Sequence, residues 1–203
     1  MTQPRSSKHR FPAIASVAVA AITALASVAP SVPAAGPDGA KLTAAPPADN
    51  LARGKYLVTV AGCNDCHTPW KVGPAGPEPD MSRMLSGHPG EMELPPSPPL
   101  PPGPWVVTVA GTNTAWSGPW GVSFTANLTP DPETGLGKWT LRNFTDTIRT
   151  GRHMGRGRPV LPPMPILMYK HFTNEDLAAI YSYLQTIPVV KNRVPEPLPP
   201  AGR

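Results

Sequence analysis

The sequence predicts an all-α fold with long proline-rich loops and little or no β-structure. Three segments repeat apolar residues at helical spacing, which is the main evidence for helices. The chain also has 31 prolines, and none of them lies inside those three segments. Proline fixes φ and lacks an amide donor, so proline-rich stretches form surface loops rather than helices or inner strands.

The first helix is predicted from Asp49, which is a suitable N-cap, to Gly62. Its apolar residues are Leu51, Tyr56, Leu57, Val58 and Ala61. Gly54 inside this helix costs about 1 kcal/mol relative to alanine. The glycine therefore predicts that another helix crosses closely at this point.

A second helix is predicted over 141–150, with Thr140 as its N-cap and Gly151 at the C′ position. Its inner face is formed by Leu141, Phe144, Thr145 and Ile148. Between the first and second helices the chain is loop-rich. One short strand is expected there, over 106–109.

The third helix begins with Thr173-Asn174-Glu175-Asp176, which resembles a capping box, and ends before Pro188. Its apolar residues fall at helical spacing and are Leu177, Ile180, Tyr181, Leu184 and Ile187. This is the most regular of the three patterns, so the sequence predicts an amphipathic helix close to the C-terminal end.

The only two cysteines of the chain lie in Cys63-Asn64-Asp65-Cys66-His67. C-x-x-C-H is the attachment motif of c-type haem. Each thiol can add to one vinyl group of the porphyrin, and the adjacent histidine then lies beneath the iron as its proximal ligand. The motif therefore predicts one covalently bound haem c, attached to Cys63 and Cys66, with His67 as an iron ligand.

Other interpretations explain the motif less well. A structural zinc site needs four ligands, and the chain has no further cysteine. A thioredoxin-type redox pair lies in a βαβ pattern, which the flanking residues do not show. A disulfide across two intervening residues is sterically awkward and leaves His67 without a role.

The start of the chain has the pattern of a signal peptide. Arg5, Lys8 and Arg10 form a positively charged region, an alanine-rich apolar run follows over 13–29, and small residues gather at 32–35. An uncleaved membrane anchor is the alternative. In either case the remainder is exported, and the expected location is the periplasm, where bacterial c-type haem is attached.

The charge balance does not favour nucleic acid as a partner. The chain has 18 basic and 13 acidic residues, a formal net charge of +5. Three of the basic residues and none of the acidic ones lie in the predicted signal peptide, so the remainder carries +2. The high isoelectric point therefore depends largely on the leader, and no nucleic-acid binding is expected.

With these residues in place, the sequence resembles the class I c-type cytochromes. In that family the first and last helices cross, the haem lies between them, and a loop delivers a methionine ligand. A more specific resemblance is to the cytochrome c subunits of periplasmic membrane-associated dehydrogenases. It rests on 127–139 (NLTPDPETGLGKW), 161–165 (LPPMP) and 174–177 (NEDL), and covers roughly residues 48–197. Those subunits commonly carry three haems, whereas this chain has one motif.

The resemblance implies a sixth iron ligand, and Met164 is the leading candidate. Prolines flank it on both sides and stiffen its loop, which lies between the second and third helices. Met168 is the runner-up. Ligation by His88, His153 or His171 would give a bis-histidine iron of lower potential, but each is expected to be an ordinary surface or capping residue.

Trp139 precedes the second helix, where related cytochromes have a tryptophan that binds a haem propionate; core packing is the alternative explanation. A basic cluster follows it, and its members are Arg142, Arg149, Arg152, His153, Arg156 and Arg158. This cluster is either a solvated surface or a docking surface for an acidic partner.

The sequence thus divides into a signal peptide at 1–35, a flexible segment at 36–47, a mono-haem cytochrome c domain at 48–187 with a proline-rich insertion at 74–105, and a proline-rich tail at 188–203. The class I cytochrome c fold is expected for the domain.

The predicted function is single-electron transfer by a periplasmic mono-haem c-type cytochrome, from a dehydrogenase to a respiratory acceptor. No catalytic activity of its own is expected. Two other classes are alternatives: a haem enzyme or gas-binding protein with an open sixth position, and a non-redox module that binds partners through the proline-rich surface. Membrane association would arise through a partner complex or an uncleaved leader.

Overall fold

The structure is a computed structural model that describes residues 47–99 and 103–200. Its α-helices are α1 (Pro47–Val60), α2 (Cys63–His67), α3 (Leu141–Thr150), α4 (Ile166–Tyr169) and α5 (Asn174–Leu184), and 3₁₀ turns lie at Met81–Arg83 and His153–Gly155. The strands are β1 (Trp70–Gly73), β2 (Gly76–Pro79), β3 (Thr108–Val109), β4 (Ala115–Gly118) and β5 (Gly121–Phe124).

The predicted signal peptide at 1–35 lies outside the described residues, as does most of the predicted flexible segment at 36–47. Among the helices of the described part of the chain, none combines the length and apolar character that a bilayer-spanning helix needs.

The prediction of an all-α fold with little or no β-structure is wrong, because the chain forms two antiparallel sheets beside its helices. Strands β1 and β2 form a hairpin, and β3, β4 and β5 form a three-stranded sheet in that order. These strands are two to four residues long, too short to show an alternating pattern in sequence. Strand β2 even contains Pro77 and Pro79, which the edge position of a hairpin strand tolerates. The short strand expected at 106–109 is present in part, as β3.

Helix α1 crosses α5 at Gly54, as the glycine predicted. A Cβ atom on Gly54 would overlap the carbonyl group of Ala179 and come within 2.8 Å of the Tyr183 Cβ, both in α5. Only a residue without a side chain allows the two backbones to approach so closely. The cost of glycine inside α1 is therefore offset by this close packing.

Helix α3 has the predicted boundaries and both predicted caps. Thr140 Oγ1 accepts a hydrogen bond from the Asn143 amide, and Asn143 Oδ1 accepts one from the Thr140 amide, each at 3.1 Å. At the other end Gly151 adopts φ 65°, a left-handed conformation that favours glycine. Helix α5 begins at its predicted cap, Thr173, but ends at Leu184, before the predicted end.

The hydrophobic core joins α1, α3 and α5 to three residues outside the helices. Its buried members are Leu57, Val58, Leu85, Leu136, Phe144, Ile148, Leu177, Ile180, Leu184 and Ile187. Leu85 and Leu136 come from the loop-rich region between α2 and α3, so this region packs on the helices. The core also forms part of the wall of a large cavity.

The C-terminal segment is attached to the rest of the domain. Leu198 and Val122 exchange two backbone hydrogen bonds of 2.9 Å, which pair the segment with β5. Asn127 Nδ2 donates to the Val190 carbonyl at 2.8 Å. Residues 190–198 are named the C-terminal strap below.

Candidate functional site

The cavity has a volume of about 480 Å³, within the usual range of ligand and cofactor sites. Five of the sequence-predicted site residues line it: Cys63, Cys66, His67, Trp139 and Met164. Much of the remaining wall is apolar and comes from Leu136, Phe144, Ile148, Leu177, Ile180 and Leu184. Residues from helices and loops that are distant in sequence therefore meet around one enclosed space.

Helix α2 places the two thiols and the imidazole together. Cys63, Cys66 and His67 occupy positions i, i+3 and i+4 of one helical turn, so their side chains leave the same side. Gly62, with φ 70°, turns the chain sharply between α1 and α2. The turn allows α2 to start at the cavity wall, directly after α1 ends.

The two cysteines are free thiols rather than a disulfide. Burial raises the pKa of the Cys63 thiol to about 11, and burial also raises the pKa of Cys66. Both groups are therefore protonated at neutral pH. Within the described residues no group of three or more His, Cys, Asp or Glu side chains is arranged to hold a metal ion.

The two ring nitrogens of His67 differ, because only Nδ1 is hydrogen-bonded to a backbone carbonyl. Nδ1 lies 2.8 Å from the Ala126 carbonyl oxygen. Because a carbonyl can only accept, Nδ1 carries the proton, and the lone pair of the neutral ring is on Nε2. Burial lowers the pKa of His67, which keeps the ring neutral. A neutral imidazole held by a carbonyl in this way is the usual form of a metal-ligating histidine.

The backbone around His67 is also held by hydrogen bonds. The Gly87 amide donates to the His67 carbonyl at 2.8 Å, and the Leu85 amide donates to Thr68 Oγ1 at 2.9 Å. Thr68 Oγ1 donates in turn to Asn64 Oδ1 at 2.9 Å, inside α2. The loop at 85–88 therefore fixes the C-terminal end of α2.

Met164 lines the cavity, whereas Met168 does not. Met164 is half-buried and packs against the core, and its segment is held by a 2.5 Å hydrogen bond from Ser123 Oγ to the Pro162 carbonyl. Met168 lies in α4 and is 71% exposed. Of the two sulfur candidates, only Met164 shares the cavity with His67.

Trp139 lines the cavity and packs against His153. Its ring meets the His153 ring edge to face, with centroids 5.0 Å apart, and its carbonyl accepts a 2.6 Å hydrogen bond from the Tyr181 hydroxyl. The Trp139 Nε1–H has no acceptor among the residues that the structure describes. A donor on the wall of an apolar cavity suits an anionic group of a ligand.

The three other candidate histidines differ from one another. His153 lines the cavity but is exposed, and His171 is exposed outside it. His88 is fully buried, so the expectation of a surface or capping residue is wrong for it. Its Nδ1 lies 2.9 Å from Thr114 Oγ1, and its ring packs against Phe124. His88 does not line the cavity.

Some members of the basic cluster form hydrogen bonds and ion pairs within the molecule. Arg149 donates to the Lys170 carbonyl at 2.5 Å and to Asn174 Oδ1 at 2.8 Å, which ties α3 to the start of α5. Arg158 forms an ion pair of 3.3 Å with Glu196 at the cavity wall. Arg142 pairs with Asp146 at 3.4 Å on the exposed side of α3.

Two features of the site have no signal in the sequence. The Tyr169 hydroxyl donates to the Ala61 carbonyl and joins α4 to the end of α1, and burial raises its pKa to about 12. The C-terminal strap contributes Arg193 to the cavity wall, together with the four residues that follow it. The proline content of this segment predicts only an irregular tail. Its sequence has no apolar periodicity that would indicate contacts with the cavity wall.

No protein-family model matches the chain. One component of the nicotinate dehydrogenase of Pseudomonas putida is 34% identical over 77 residues, which are 38% of this chain and 6% of the relative. The cytochrome c subunit of the quinone alcohol dehydrogenase of Gluconobacter oxydans is 27% identical over 135 residues, 66% of this chain and 20% of the relative. The fructose dehydrogenase cytochrome subunit of Gluconobacter japonicus is 27% identical over 137 residues, 68% of this chain and 21% of the relative.

The chain thus spans about a fifth or less of the length of these curated relatives. Two of the three carry "cytochrome" in their names, and a diheme cytochrome c-type protein of Cereibacter sphaeroides is also similar, with 32% identity over 71 residues. The resemblance predicted from the sequence is confirmed: this chain is similar to the cytochrome c subunits of bacterial dehydrogenases.

Proposed function

We propose that the chain is an exported mono-haem c-type cytochrome that carries single electrons from a dehydrogenase to a respiratory acceptor. The observation that supports this most is the shared cavity, where two free thiols, a neutral imidazole and a thioether meet within apolar walls. These are the groups that attach and ligate haem c.

Each of these residues has a separate role in the proposal. The thiols of Cys63 and Cys66 would each add across one vinyl group, with sulfur bonding to one carbon and the thiol hydrogen going to the other. His67 would offer the Nε2 lone pair to the iron, while the Ala126 carbonyl holds Nδ1. Met164 would offer its sulfur as the other protein ligand of the iron. When bound, haem supplies one-electron iron chemistry.

The residues that line the cavity would influence the reduction potential of the iron. Apolar side chains from α3 and α5 exclude water, which disfavours the more highly charged ferric state. Thioether ligation by Met164 acts in the same direction, because it raises the potential relative to a second histidine. Trp139, which lines the cavity, would offer its indole N–H to a propionate. Together these features suit an electron acceptor.

Partner and location are inferred from the relatives and from the leader. The names of the relatives support a dehydrogenase as the electron donor, and the respiratory acceptor is part of the proposal. The signal peptide predicted at 1–35 is the basis for proposing export to the periplasm. The domain at 48–187 is proposed to carry the haem, with the C-terminal strap completing its cavity wall.

The proposal is tested by expressing the whole chain, with its leader, in a bacterium that attaches c-type haem. After denaturing electrophoresis, the wild type is expected to keep a haem stain, and its alkaline pyridine spectrum should give one haem per chain. The double variant Cys63→Ala/Cys66→Ala should lose the stain because no thioether bond can form.

Met168→Ala is the matched control, since this exposed side chain lies outside the cavity. It should keep both the stain and the haem content of the wild type. A wild-type chain without haem, or a stain that persists without both cysteines, would contradict the proposal.

A further inference from the structure

The C-terminal strap carries a buried asparagine whose side chain is fully engaged with one loop. Asn192 is 4% exposed. Its Nδ2 donates to the Ser86 carbonyl at 2.7 Å and to the His88 carbonyl at 2.8 Å. Its Oδ1 accepts from the Gly90 amide at 2.8 Å. A single side chain thus fixes three backbone groups of the loop at 86–90.

The same loop lies directly against the proximal histidine. The Gly87 amide donates to the His67 carbonyl at 2.8 Å, and the His88 amide donates to the Thr125 carbonyl at 2.9 Å. The next carbonyl along the chain, that of Ala126, accepts from His67 Nδ1 at 2.8 Å. Asn192 is therefore connected, through one loop, to both hydrogen bonds that orient His67.

The loop at 86–90 packs tightly against the backbone of Ala126. Gly87 has φ 78°, and a Cβ atom there would come within 2.7 Å of the Ala126 carbonyl oxygen. The loop and the carbonyl that orients His67 are thus in direct contact. A shift of the loop would displace Ala126, since close-packed atoms cannot absorb such a movement.

The backbone of Asn192 is held independently of its side chain. The Asn192 amide donates to Thr134 Oγ1 at 3.0 Å, and Asn127 Nδ2 binds the Val190 carbonyl. Substitution of the side chain therefore removes the contacts to the loop at 86–90 and leaves the strap attached.

We propose that Asn192 is a positioning residue for the proximal ligand: it holds the loop at 86–90 so that Ala126 keeps a strong hydrogen bond from His67 Nδ1. This inference rests on the proposed function, in which His67 binds the iron. A stronger hydrogen bond at Nδ1 makes the imidazole a more basic ligand and favours the ferric state. Asn192 thereby lowers the reduction potential from a segment that is remote in sequence.

The test uses the haem-loaded whole chain and compares Asn192→Ala with the wild type. We expect the His67 Nδ1 proton of the ferrous protein to exchange with solvent about tenfold faster, the change expected when one net hydrogen bond is weakened. We also expect the reduction potential to rise. Exchange is measured by NMR on the ferrous protein, and the potential by equilibrium redox titration. A loss of stability alone would speed exchange through global unfolding but would not raise the reduction potential of the folded protein, so the inference requires both changes.

Lys191→Ala is the matched control. The variant removes an exposed ion pair of 2.8 Å between Lys191 and Glu133. Lys191 precedes Asn192 in the strap, and its ion pair does not involve the loop at 86–90. Its exchange rate and potential should equal those of the wild type. If Asn192→Ala fails to fold, Asn192→Leu replaces it. Leucine has nearly the same shape, leaves no cavity and has neither donor nor acceptor, so faster exchange is expected again.

The possible failures are distinguishable. A wild-type chain without covalent haem would overturn the proposed function, and this inference with it. A haem-bearing wild type whose exchange rate is unchanged in the Asn192 variants would overturn only the role of Asn192.

Discussion

Helices and loops surround the cavity in different ways. Helices α1, α3 and α5 meet through buried apolar side chains and one close backbone crossing at Gly54. The loops that position the proposed iron ligands His67 and Met164, at 85–90, 125–128 and 162–165, are held mainly by hydrogen bonds to main-chain atoms. We therefore expect the free energy of unfolding to depend mainly on the packing of the helices. The geometry of the proposed iron ligands should depend mainly on the loops.

The largest effect is expected for Met164→Ala, which removes the proposed loop ligand and leaves the helices intact. The ferric protein should lose the weak long-wavelength absorption band that arises from sulfur-to-iron charge transfer, while the helical circular dichroism stays unchanged. Absorption spectroscopy of the oxidised protein checks this.

Met168→Ala is its control and should keep the band. A band that survives Met164→Ala would show that another group is the sixth ligand, and the proposed loop function would then lose its main support.

The second prediction concerns the helical part. Gly54→Ala places a methyl group against the Ala179 carbonyl and should lower the free energy of unfolding by about 2 kcal/mol, as overpacked sites do. The absorption band of the folded molecules should stay unchanged. Chemical denaturation followed by circular dichroism measures the loss.

Gly111→Ala is the matched glycine control, because a Cβ atom there meets no atom within 4 Å. It should leave stability close to that of the wild type. Equal stability of the Gly54 and Gly111 variants would mean that the helix crossing does not need glycine.

A smaller effect is expected for Ser123→Ala, which removes the hydrogen bond to the Pro162 carbonyl. The loss should lower the free energy of unfolding by about 1 kcal/mol. Because this bond holds the segment that carries Met164, the absorption band should also weaken.

Ser97→Ala is the control, because it removes an exposed serine–serine hydrogen bond instead. It should change neither the free energy of unfolding nor the absorption band. An unaltered band in the Ser123 variant would show that the prolines alone hold Met164.

The smallest effect concerns pH. Hydrogen bonds from the Thr134 hydroxyl and from backbone amides lower the pKa of Asp131 below its ordinary value. A lowered carboxyl pKa contributes stability above the ordinary pKa, and this contribution is lost as pH falls through the folded-state pKa. Thr134 also holds the Asn192 amide, so acid should weaken the loops before the helices.

Asp131→Asn should make the unfolding midpoint less sensitive to pH in that acidic range than it is in the wild type. Denaturation at a series of decreasing pH values measures this dependence. Identical pH profiles for the two proteins would rule out the contribution of Asp131.

The two parts of the molecule also differ in what the sequence could predict. Thr140 and Gly151 mark the ends of α3 because capping depends on residues a few positions apart. Gly54 predicted a helix crossing, which the structure contains. The prolines beside Met164 make it the candidate ligand, and its binding to iron stays a prediction. For the helices, local chemistry was sufficient.

The loops could not be predicted in this way, because their contacts join residues far apart in the chain. Asn192 binds Ser86 across 106 positions, and nothing near either residue marks the pair. Apart from β3, the strands were missed because each is four residues long, and β2 contains two prolines. His88 is buried by packing against β5, which its own proline-rich neighbourhood does not indicate.

In the proposed function, His67 and Met164 would both bind the iron of a single haem, and the protein would pass electrons rather than bind a substrate or gas. Addition of carbon monoxide to the reduced wild-type protein at neutral pH is the decisive test. The absorption spectrum of the wild type is expected to stay unchanged, whereas Met164→Ala is expected to bind carbon monoxide. Rapid binding by the wild type would show that the sixth position is open and that the proposed function is wrong.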